Sequence, residues 1–345
     1  MSVITVTKKM NKEDLGITST HEHVCINMEC FFTPPEEISL RKIAYEPITM
    51  DKLGILRRNP LAVKDNISMM DEQTQINELM HFKKAGGSTV VDATTIGLGR
   101  DTESLLEASV KTGLNIIAGA GFYVDASLSG NIREMTTMQM EEQIVKEIEK
   151  GIGHTKIRAG IIGEIGISHI MFPLESQSLT AACRAQKQTG APLMVHINPW
   201  STMGIEAMEI IDRYSVDHSK VVICHVDVEN HKDYINRLLD SGVYIEFDNF
   251  GKEMFVDKWN CKPGWGRFMT DWERVILLKK LFEKGYENQL LFSTDVCLKT
   301  LLHTYGGWGY DHIITHIVPL LEEVGVKSTQ IKKVLVDNPS RWLDF

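Results

Sequence analysis

The sequence lacks several features that would assign it to a specialised class of protein. Its 345 residues include six cysteines and no CxxC pair, so we expect free thiols in a reducing compartment and a cytoplasmic protein. The longest apolar runs are only a few residues, too short to cross a membrane, and the N-terminal MSVITVTKKMNKEDLG lacks an apolar core of signal-peptide length. The net charge of −9 argues against nucleic-acid binding, which requires a basic face.

Short apolar segments of strand length instead alternate with longer amphipathic stretches along most of the chain. The predicted strands lie at 17–23, 89–97, 115–123, 159–168, 192–199, 221–227, 243–250 and 290–297. The predicted helices lie at 72–86, 102–112, 137–150, 178–189, 204–214, 231–241 and 271–284, and several are followed by glycine. Eight such units predict an α/β protein, a (β/α)₈ TIM barrel formed as a single domain over residues 1–345. A doubly wound open sheet is the alternative, although no GxGxxG follows the first strand.

Residues 24–71 interrupt this alternation. They contain the pair Pro34 and Pro35 and a run, LGILRRNPLAVKDN, that fits neither pattern. We interpret the segment as a long loop insertion after strand 1. Because loops that follow barrel strands lie at the catalytic face, it is a candidate lid or specificity loop.

Two histidines stand at the end of the first predicted strand. Residues i and i+2 of a strand point to the same side, so His21 and His23 face the barrel mouth together. Two imidazoles that converge there can hold a metal ion. Taken alone, the pair fits better a histidine in a hydrogen-bond network beside a histidine at the surface.

Four other strands end in residues that commonly bind metals. Strand 4 carries Glu164, strand 5 His196, strand 6 His225 and strand 8 Asp295. Charged or imidazole groups after apolar runs are costly to bury without a partner, so their recurrence predicts a shared metal centre. Four histidines and two carboxylates suit two divalent ions, zinc first and manganese, cobalt or iron as alternatives. Glu164 would bridge them, and Asp295 would accept a proton from a metal-bound water, whose hydroxide is the nucleophile.

The motifs THEH (20–23), GAGFYVD (119–125), GEIGIS (163–168), YGGWGYDHI (305–313) and DNPSRWL (337–343) extend over nearly the whole chain. Together they resemble the phosphotriesterase family of the amidohydrolase superfamily, and within it the phosphotriesterase-related branch. The resemblance implies that His21, His23 and Asp295 bind the more buried metal, and that His196 and His225 bind the exposed one. Glu164 stands where the family often has a carboxylated lysine. The resemblance also implies a homodimer, because members of this family often form dimers.

The residues around strand 7 depart from the specialised members of this family. Phosphotriesterases have a histidine after the strand-7 aspartate and related lactonases have an arginine, whereas Asn249 follows Asp248 here. Asp227 resembles a proton-relay aspartate, with a salt bridge at the rim as the alternative. Tyr123 stands where relatives place a substrate-polarising tyrosine, with an ordinary packed aromatic as the alternative.

The substrate-binding residues expected from these positions are Tyr123, Asn249, Lys252 and Arg267. Basic residues in the predicted mouth loops favour an anionic small molecule, although a solvated rim explains them as well. The resemblance implies a binuclear metal-dependent hydrolase acting on a lactone or an N-acyl amide. The alternatives are a phosphotriesterase, a non-catalytic barrel that binds a metal or small molecule, and a metal-dependent deaminase or decarboxylase.

Overall fold

The computed structural model describes residues 2–254, 256 and 266–345, and its main sheet has eight parallel strands in the order in which they occur along the chain. Numbered 1 to 8, they are Thr18–Glu22, Thr89–Asp92, Asn115–Ala120, Ile161–Ile167, Leu193–Ile197, Val221–Ile223, Tyr244–Phe247 and Leu290–Phe292. Strands 1 and 8 approach each other, since the Thr20 hydroxyl donates to the Phe292 carbonyl at 3.1 Å and the Asp295 amide to the His21 carbonyl at 3.1 Å. The predicted TIM barrel is therefore confirmed over the doubly wound sheet.

Helices follow the strands and surround the barrel. The longer α-helices are Glu72–Lys84, Thr102–Thr112, Thr137–Glu149, Pro173–Thr189, Gly204–Arg213, Lys232–Ser241 and Asp271–Glu283. After strand 8 come the α-helices Val318–Glu323, Ser328–Lys332 and Asn338–Leu343 and the π-helical segments Ile313–Ile317 and Lys333–Asp337. Single 3₁₀ turns lie at Lys12–Asp14, Asp125–Ser127, Gly130–Glu134, His218–Lys220, Tyr286–Asn288, Lys299–Leu301 and His303–Tyr305. A short antiparallel pair, Val3–Ile4 with Lys9–Met10, precedes the barrel.

The helix ends follow from local side-chain chemistry. Thr136 accepts a hydrogen bond from the backbone of Gln139, whose side chain accepts from the Thr136 backbone, so the third long helix begins with a capping box. The second helix ends at Gly113, which takes the left-handed conformation at φ 67° that a residue without Cβ adopts at low cost. The expectation that glycine ends several helices is confirmed.

Every second side chain along a strand points into the barrel. These inward side chains are apolar at one end of the barrel, the floor, and polar at the other end, the mouth. Met194 and His196 share the inward face of strand 5, and Leu291 and Ser293 share that of strand 8 before Asp295. The floor residues form one buried cluster, which the C-terminal Trp342 joins. Side chains therefore change from apolar to ionisable in the direction of the carboxyl ends of the strands.

The insertion at 24–71 covers part of this mouth. It holds the short helices Ile38–Arg41 and Leu53–Leu56, the 3₁₀ turns Glu29–Phe31, Ile43–Tyr45, Met50–Lys52 and Lys64–Ile67, and the strand pair Ile26–Asn27 with Ser68–Met69. The Lys299 ammonium donates to Asp65 at 2.5 Å, and the Thr300 amide donates to Asn66 at 3.0 Å. The insertion is thus tied to the loop after strand 8, at the face where the sequence places it.

The predictions about cysteines, membrane spans and domain number apply to the whole chain. Cys25, Cys30, Cys183, Cys224 and Cys297 are free thiols, whereas Cys261 lies outside the described residues. Within the described ranges, no helix has both the length and the apolar character needed to cross a bilayer. The single domain over residues 1–345 stays a prediction.

The buried Trp342 offers a test of how the C-terminal helix closes the barrel floor. Its side chain is fully buried, and its indole N–H donates to the Lys220 carbonyl at 3.2 Å. We expect Trp342→Ala to lower the free energy of unfolding by about 3–5 kcal/mol, because the cavity left behind cannot collapse fully. Denaturant titration followed by circular dichroism measures this. Trp272, which is half exposed, is the control, and equal losses from the two variants would contradict the packing described here.

Candidate functional site

Four histidine rings meet at the mouth of the barrel, all of them buried. His21 and His23 come from the end of strand 1, with ring centroids 5.5 Å apart. His196 ends strand 5, and its Nδ1 lies 2.8 Å from Nε2 of His225. The convergence predicted from strand ends is therefore present in the structure.

Three of these rings are oriented by contacts at Nδ1. The Nδ1 atom of His21 lies 3.2 Å from Glu246, that of His23 lies 2.9 Å from the Thr94 hydroxyl, and that of His225 lies 2.9 Å from Asp248. Each ring consequently directs Nε2 towards the centre. Partners of this kind orient metal-binding imidazoles and set their tautomers.

Glu164 lies between the two pairs of histidines. Its Oε1 is 3.3 Å from His23 Nε2, and its Oε2 is 3.0 Å from His196 Nδ1 and 3.8 Å from His225 Nε2. The preceding Gly163 has φ of 130°, and a Cβ there would lie 2.3 Å from the Met194 carbonyl oxygen. Glycine is required by this close approach of strands 4 and 5, which brings Glu164 beside His196.

Asp295 completes the cluster from the end of strand 8. One carboxylate oxygen lies 3.2 Å from His23 Nε2 and 3.9 Å from His21 Nε2, and the other accepts a hydrogen bond from the Lys252 ammonium. Asp295 and His225 have positive φ values of 43° and 60°. Residues other than glycine adopt this conformation rarely, and such strain concentrates at functional sites.

At His225 the positive φ changes the direction of the side chain. Cys224, directly after strand 6, already occupies an inward position, where its thiol donates to Glu246 at 3.3 Å. Regular alternation would turn the next side chain out of the barrel. The left-handed backbone instead brings the His225 ring inward, and its amide donates to Asp248 at 3.0 Å.

The site's electrostatics reflect close packing of opposite charges. Burial disfavours a charged His23, but hydrogen bonds to Asp295 and Glu164 outweigh it and raise its pKa to about 10. Burial and the neighbouring His225 and His21 charges lower the pKa of His196 to about 4, against the attraction of Glu164. Burial also opposes the ionised Glu164, yet the charges of His21 and His196 hold its pKa well below the usual range. Because a neutral imidazole is the form that binds a metal ion, protons and metal ions would compete for these nitrogens.

Strand 7 contributes residues that the sequence analysis did not assign to the site. Glu246 and Asp248 alternate inward along it and contact His21 and His225 from behind the cluster. Burial raises the pKa of Asp248 to about 7, although the His225 charge opposes the shift. The alternation in Tyr-Ile-Glu-Phe-Asp was the available signal, since it places both carboxylates on the inward face.

Asp227 lies beside the cluster rather than on the cavity. Arg274, which is fully buried, places Nε 2.8 Å from one Asp227 carboxylate oxygen. The backbone and side-chain amides of Asn249 donate to the same carboxylate at 3.1 and 2.9 Å. This geometry accords with the salt-bridge alternative, although the pair is buried and not at the rim. A part for Asp227 in proton transfer stays a prediction.

A cavity of about 150 Å³ opens above the cluster. Its polar lining comes from His23, Tyr123, Glu164, His196, Asn198, His225, Asn249, Lys252 and Asp295. The insertion supplies apolar walls through Ile26, Met28, Phe31, Pro60 and Leu61. The Tyr123 hydroxyl lies 3.3 Å from His196 Nε2. Arg267 is outside the cavity, because its side chain is 72% exposed and lies 3.5 Å from Glu273.

The donor set fits divalent metal ions on the evidence of its own geometry. One potential ligand atom from each of His21, His23 and Asp295 lies within 4.8 Å of the other two, and the same holds for His21, Glu164 and His225. His21 Nε2 is buried, and no described residue provides it with a hydrogen-bond partner. A buried imidazole nitrogen without a partner, facing two carboxylates, is in the environment that a cation would complete.

Comparisons with known proteins agree with this architecture. The model of the phosphotriesterase family matches residues 1–343. The chain is 36% identical to the N-acetyltaurine hydrolase of Danio rerio, over 99% of this chain and 98% of the relative. It is 37% identical to the N-acetyltaurine hydrolase of Xenopus tropicalis over the same shares.

Solved structures show the same likeness. A resiniferatoxin-binding protein from Rhodobacter sphaeroides is 32% identical, with a TM-score of 0.95 over 99% of this chain and 95% of that one. A lactonase from Listeria monocytogenes is 25% identical, with a TM-score of 0.79 over 100% and 99%. The predicted resemblance and the predicted hydrolase class are confirmed. The chain belongs to the phosphotriesterase family of hydrolases.

Proposed function

We propose that this protein hydrolyses small N-acyl amides at a centre of two divalent cations, with zinc as the expected metal. The observation that carries the proposal is the convergence of four imidazoles, Glu164 and Asp295 beneath an open cavity. It is supported by 36–37% identity to N-acetyltaurine hydrolases, whose named substrate is an N-acyl amide. A structural metal site is normally closed, whereas this cluster lies against a cavity, which disfavours the non-catalytic alternative.

The ligand roles follow from the distances within the cluster. His21, His23 and Asp295 would hold one cation, His196 and His225 would hold the other, and the two oxygens of Glu164 would connect them. When bound, the cations would lower the pKa of a water molecule and polarise the acyl carbonyl. Glu246, Asp248 and Thr94 keep the imidazoles in position from behind.

The other groups in the cavity would handle protons and orient the substrate. Asp295 accepts the proton of the attacking water and returns it to the departing nitrogen, while Lys252 holds one of its oxygens in place. The Lys252 ammonium also supplies positive charge for an anionic group on the substrate. The Tyr123 hydroxyl would donate a hydrogen bond to the acyl oxygen.

A lactone is the second candidate substrate. It is favoured by the likeness to the Listeria lactonase structure, and it undergoes the same attack at an acyl carbon. Phosphotriesters rank below both, because Asn249 replaces the histidine that the sequence resemblance leads one to expect in phosphotriesterases. The homodimer, the cytoplasmic location and the absence of nucleic-acid or membrane partners stay predictions.

An assay of the purified protein tests the proposed activity. We expect chelator-sensitive release of taurine and acetate from N-acetyltaurine, with kcat/KM above that for γ- and δ-lactones, and recovery when zinc is restored. Chromatography with mass detection measures the products. Hydrolysis of lactones alone would favour the second candidate, and no chelator-sensitive turnover of either class would favour the non-catalytic barrel.

Asp248 tests whether the residues behind the histidines support metal binding. We expect Asp248→Asn to weaken metal affinity by about 10–100-fold, because one carboxylate orients His225 and faces His21. Competition with a chromophoric chelator measures the affinity. Asp240→Asn, at an exposed carboxylate that contacts Tyr286, is the matched control. Equal affinities for the two variants would count against the supporting role of strand 7.

A further inference from the structure

Asn249 lines the cavity above the cluster although only 1% of its surface is exposed. Its side-chain amide has one nitrogen with two hydrogens and one oxygen that can accept. The nitrogen donates to Asp227 at 2.9 Å and to Asp248 at 2.6 Å, so both hydrogens are used. The side-chain oxygen has no donor in the part of the chain that the structure describes.

Neighbouring residues determine this orientation of the amide. Reversing it would direct the amide oxygen at two carboxylates, which offer acceptors and are hydrogen-bonded to other donors. Arg274 lies against Asp227 at 2.8 Å, and His225 lies against Asp248 at 2.9 Å. The backbone amide of Asn249 also donates to Asp227 at 3.1 Å. The side chain is thus held from both sides, and the polar atom that remains for the cavity is an acceptor.

Three polar residues that line the cavity outside the cluster of histidines and carboxylates differ from Asn249 in this respect. Lys252 is a donor, and the hydroxyl of Tyr123 can donate as well. The side-chain oxygen of Asn198 accepts from the Trp200 backbone at 3.2 Å, and within the described residues its NH₂ group has no acceptor, so the group it offers is a donor. A ligand group that meets Asn249 must therefore supply its own hydrogen.

We propose that Asn249 is a specificity-determining residue that accepts a hydrogen bond from the N–H of the scissile amide. The substrate class is then secondary N-acyl amides, in preference to esters, lactones and N-alkylated amides, which lack that hydrogen. A site that holds a buried acceptor for a substrate N–H discriminates strongly against analogues without it, because the acceptor is then left unpaired. This inference rests on the proposed amide hydrolysis and assigns its selectivity to one side chain.

Three probes that share an acetyl group and a sulfonate test the inference on the wild-type protein. They are N-acetyltaurine, N-acetyl-N-methyltaurine and the ester isostere 2-acetoxyethanesulfonate. We expect kcat/KM for the N-methyl amide to fall by about 100-fold or more relative to the secondary amide. For the ester, whose carbonyl is intrinsically more reactive, we expect a higher KM than for the secondary amide.

Two variants separate this role from a general disturbance of the cavity. We expect Asn249→Leu to lower the amide-to-ester ratio of kcat/KM by about 10–100-fold. Asn198→Ala, at the other cavity asparagine, should leave that ratio within about threefold of the wild type, since only Asn249 is assigned the amide N–H. Metal content and circular dichroism, measured on each variant, report whether the site is assembled.

The outcomes distinguish the inference from the function on which it rests. The role of Asn249 and the proposed amide hydrolysis are both supported by a combined result. In that result the wild type hydrolyses the secondary amide, its kcat/KM falls strongly for the N-methyl amide, and Asn249→Leu lowers the amide-to-ester ratio of kcat/KM. Equal turnover of the two amides, or an unchanged ratio in Asn249→Leu, overturns the role of Asn249 and leaves amide hydrolysis standing. No turnover of any amide overturns both. If Asn249→Leu does not fold, the wild-type comparison of the two amides decides alone.

Discussion

The structure depends on one electrostatic constraint, which is that carboxylates at the carboxyl ends of the barrel strands are buried together. Seven of them are at most 6% exposed, namely Glu22, Asp92, Glu164, Asp227, Glu246, Asp248 and Asp295. Lys252 pairs with Asp295, and Arg274 pairs with Asp227. Among the described residues, imidazoles are the potential cationic partners of Glu164, Glu246 and Asp248. Buried charge is costly without compensation. Two divalent cations among the imidazoles would supply the compensation that the side chains lack.

The barrel satisfies this constraint by keeping its two ends chemically different. Inward positions near the amino ends of the strands are apolar and pack with Trp342, whereas the inward positions two or four residues later are ionisable. The same strands therefore provide apolar side chains that fill the floor and ionisable side chains that lie at the mouth. At His225 the left-handed backbone departs from regular alternation and turns the ring into the cluster, and Asp295 also has a positive φ.

Much of this arrangement was predictable because each candidate ligand stands at the end of a strand-length segment of the sequence. The direction of the parallel strands is enough to place these ligands at one end of the barrel, namely His21, Glu164, His196 and Asp295. The environment of Asp227 could not, since Arg274 reaches it from a helix that starts more than forty residues later in the chain. Arg267 was expected at the substrate because it is a basic residue in a predicted mouth loop. Its exposed side chain lies beside Glu273, and chain position does not determine the direction in which such a side chain extends.

The most direct test of the account is the metal content of the wild-type protein and of Glu164→Ala, measured by elemental mass spectrometry after expression with added zinc. About two ions per chain are expected in the wild type, because the cluster offers ligands for two divalent cations. One or fewer is expected in the variant, because the group connecting the two half-sites is removed. Glu283→Ala, at an exposed helix position, should match the wild type. Fewer than one ion in the wild type, or a Glu164→Ala protein that keeps both ions, would contradict the binuclear centre.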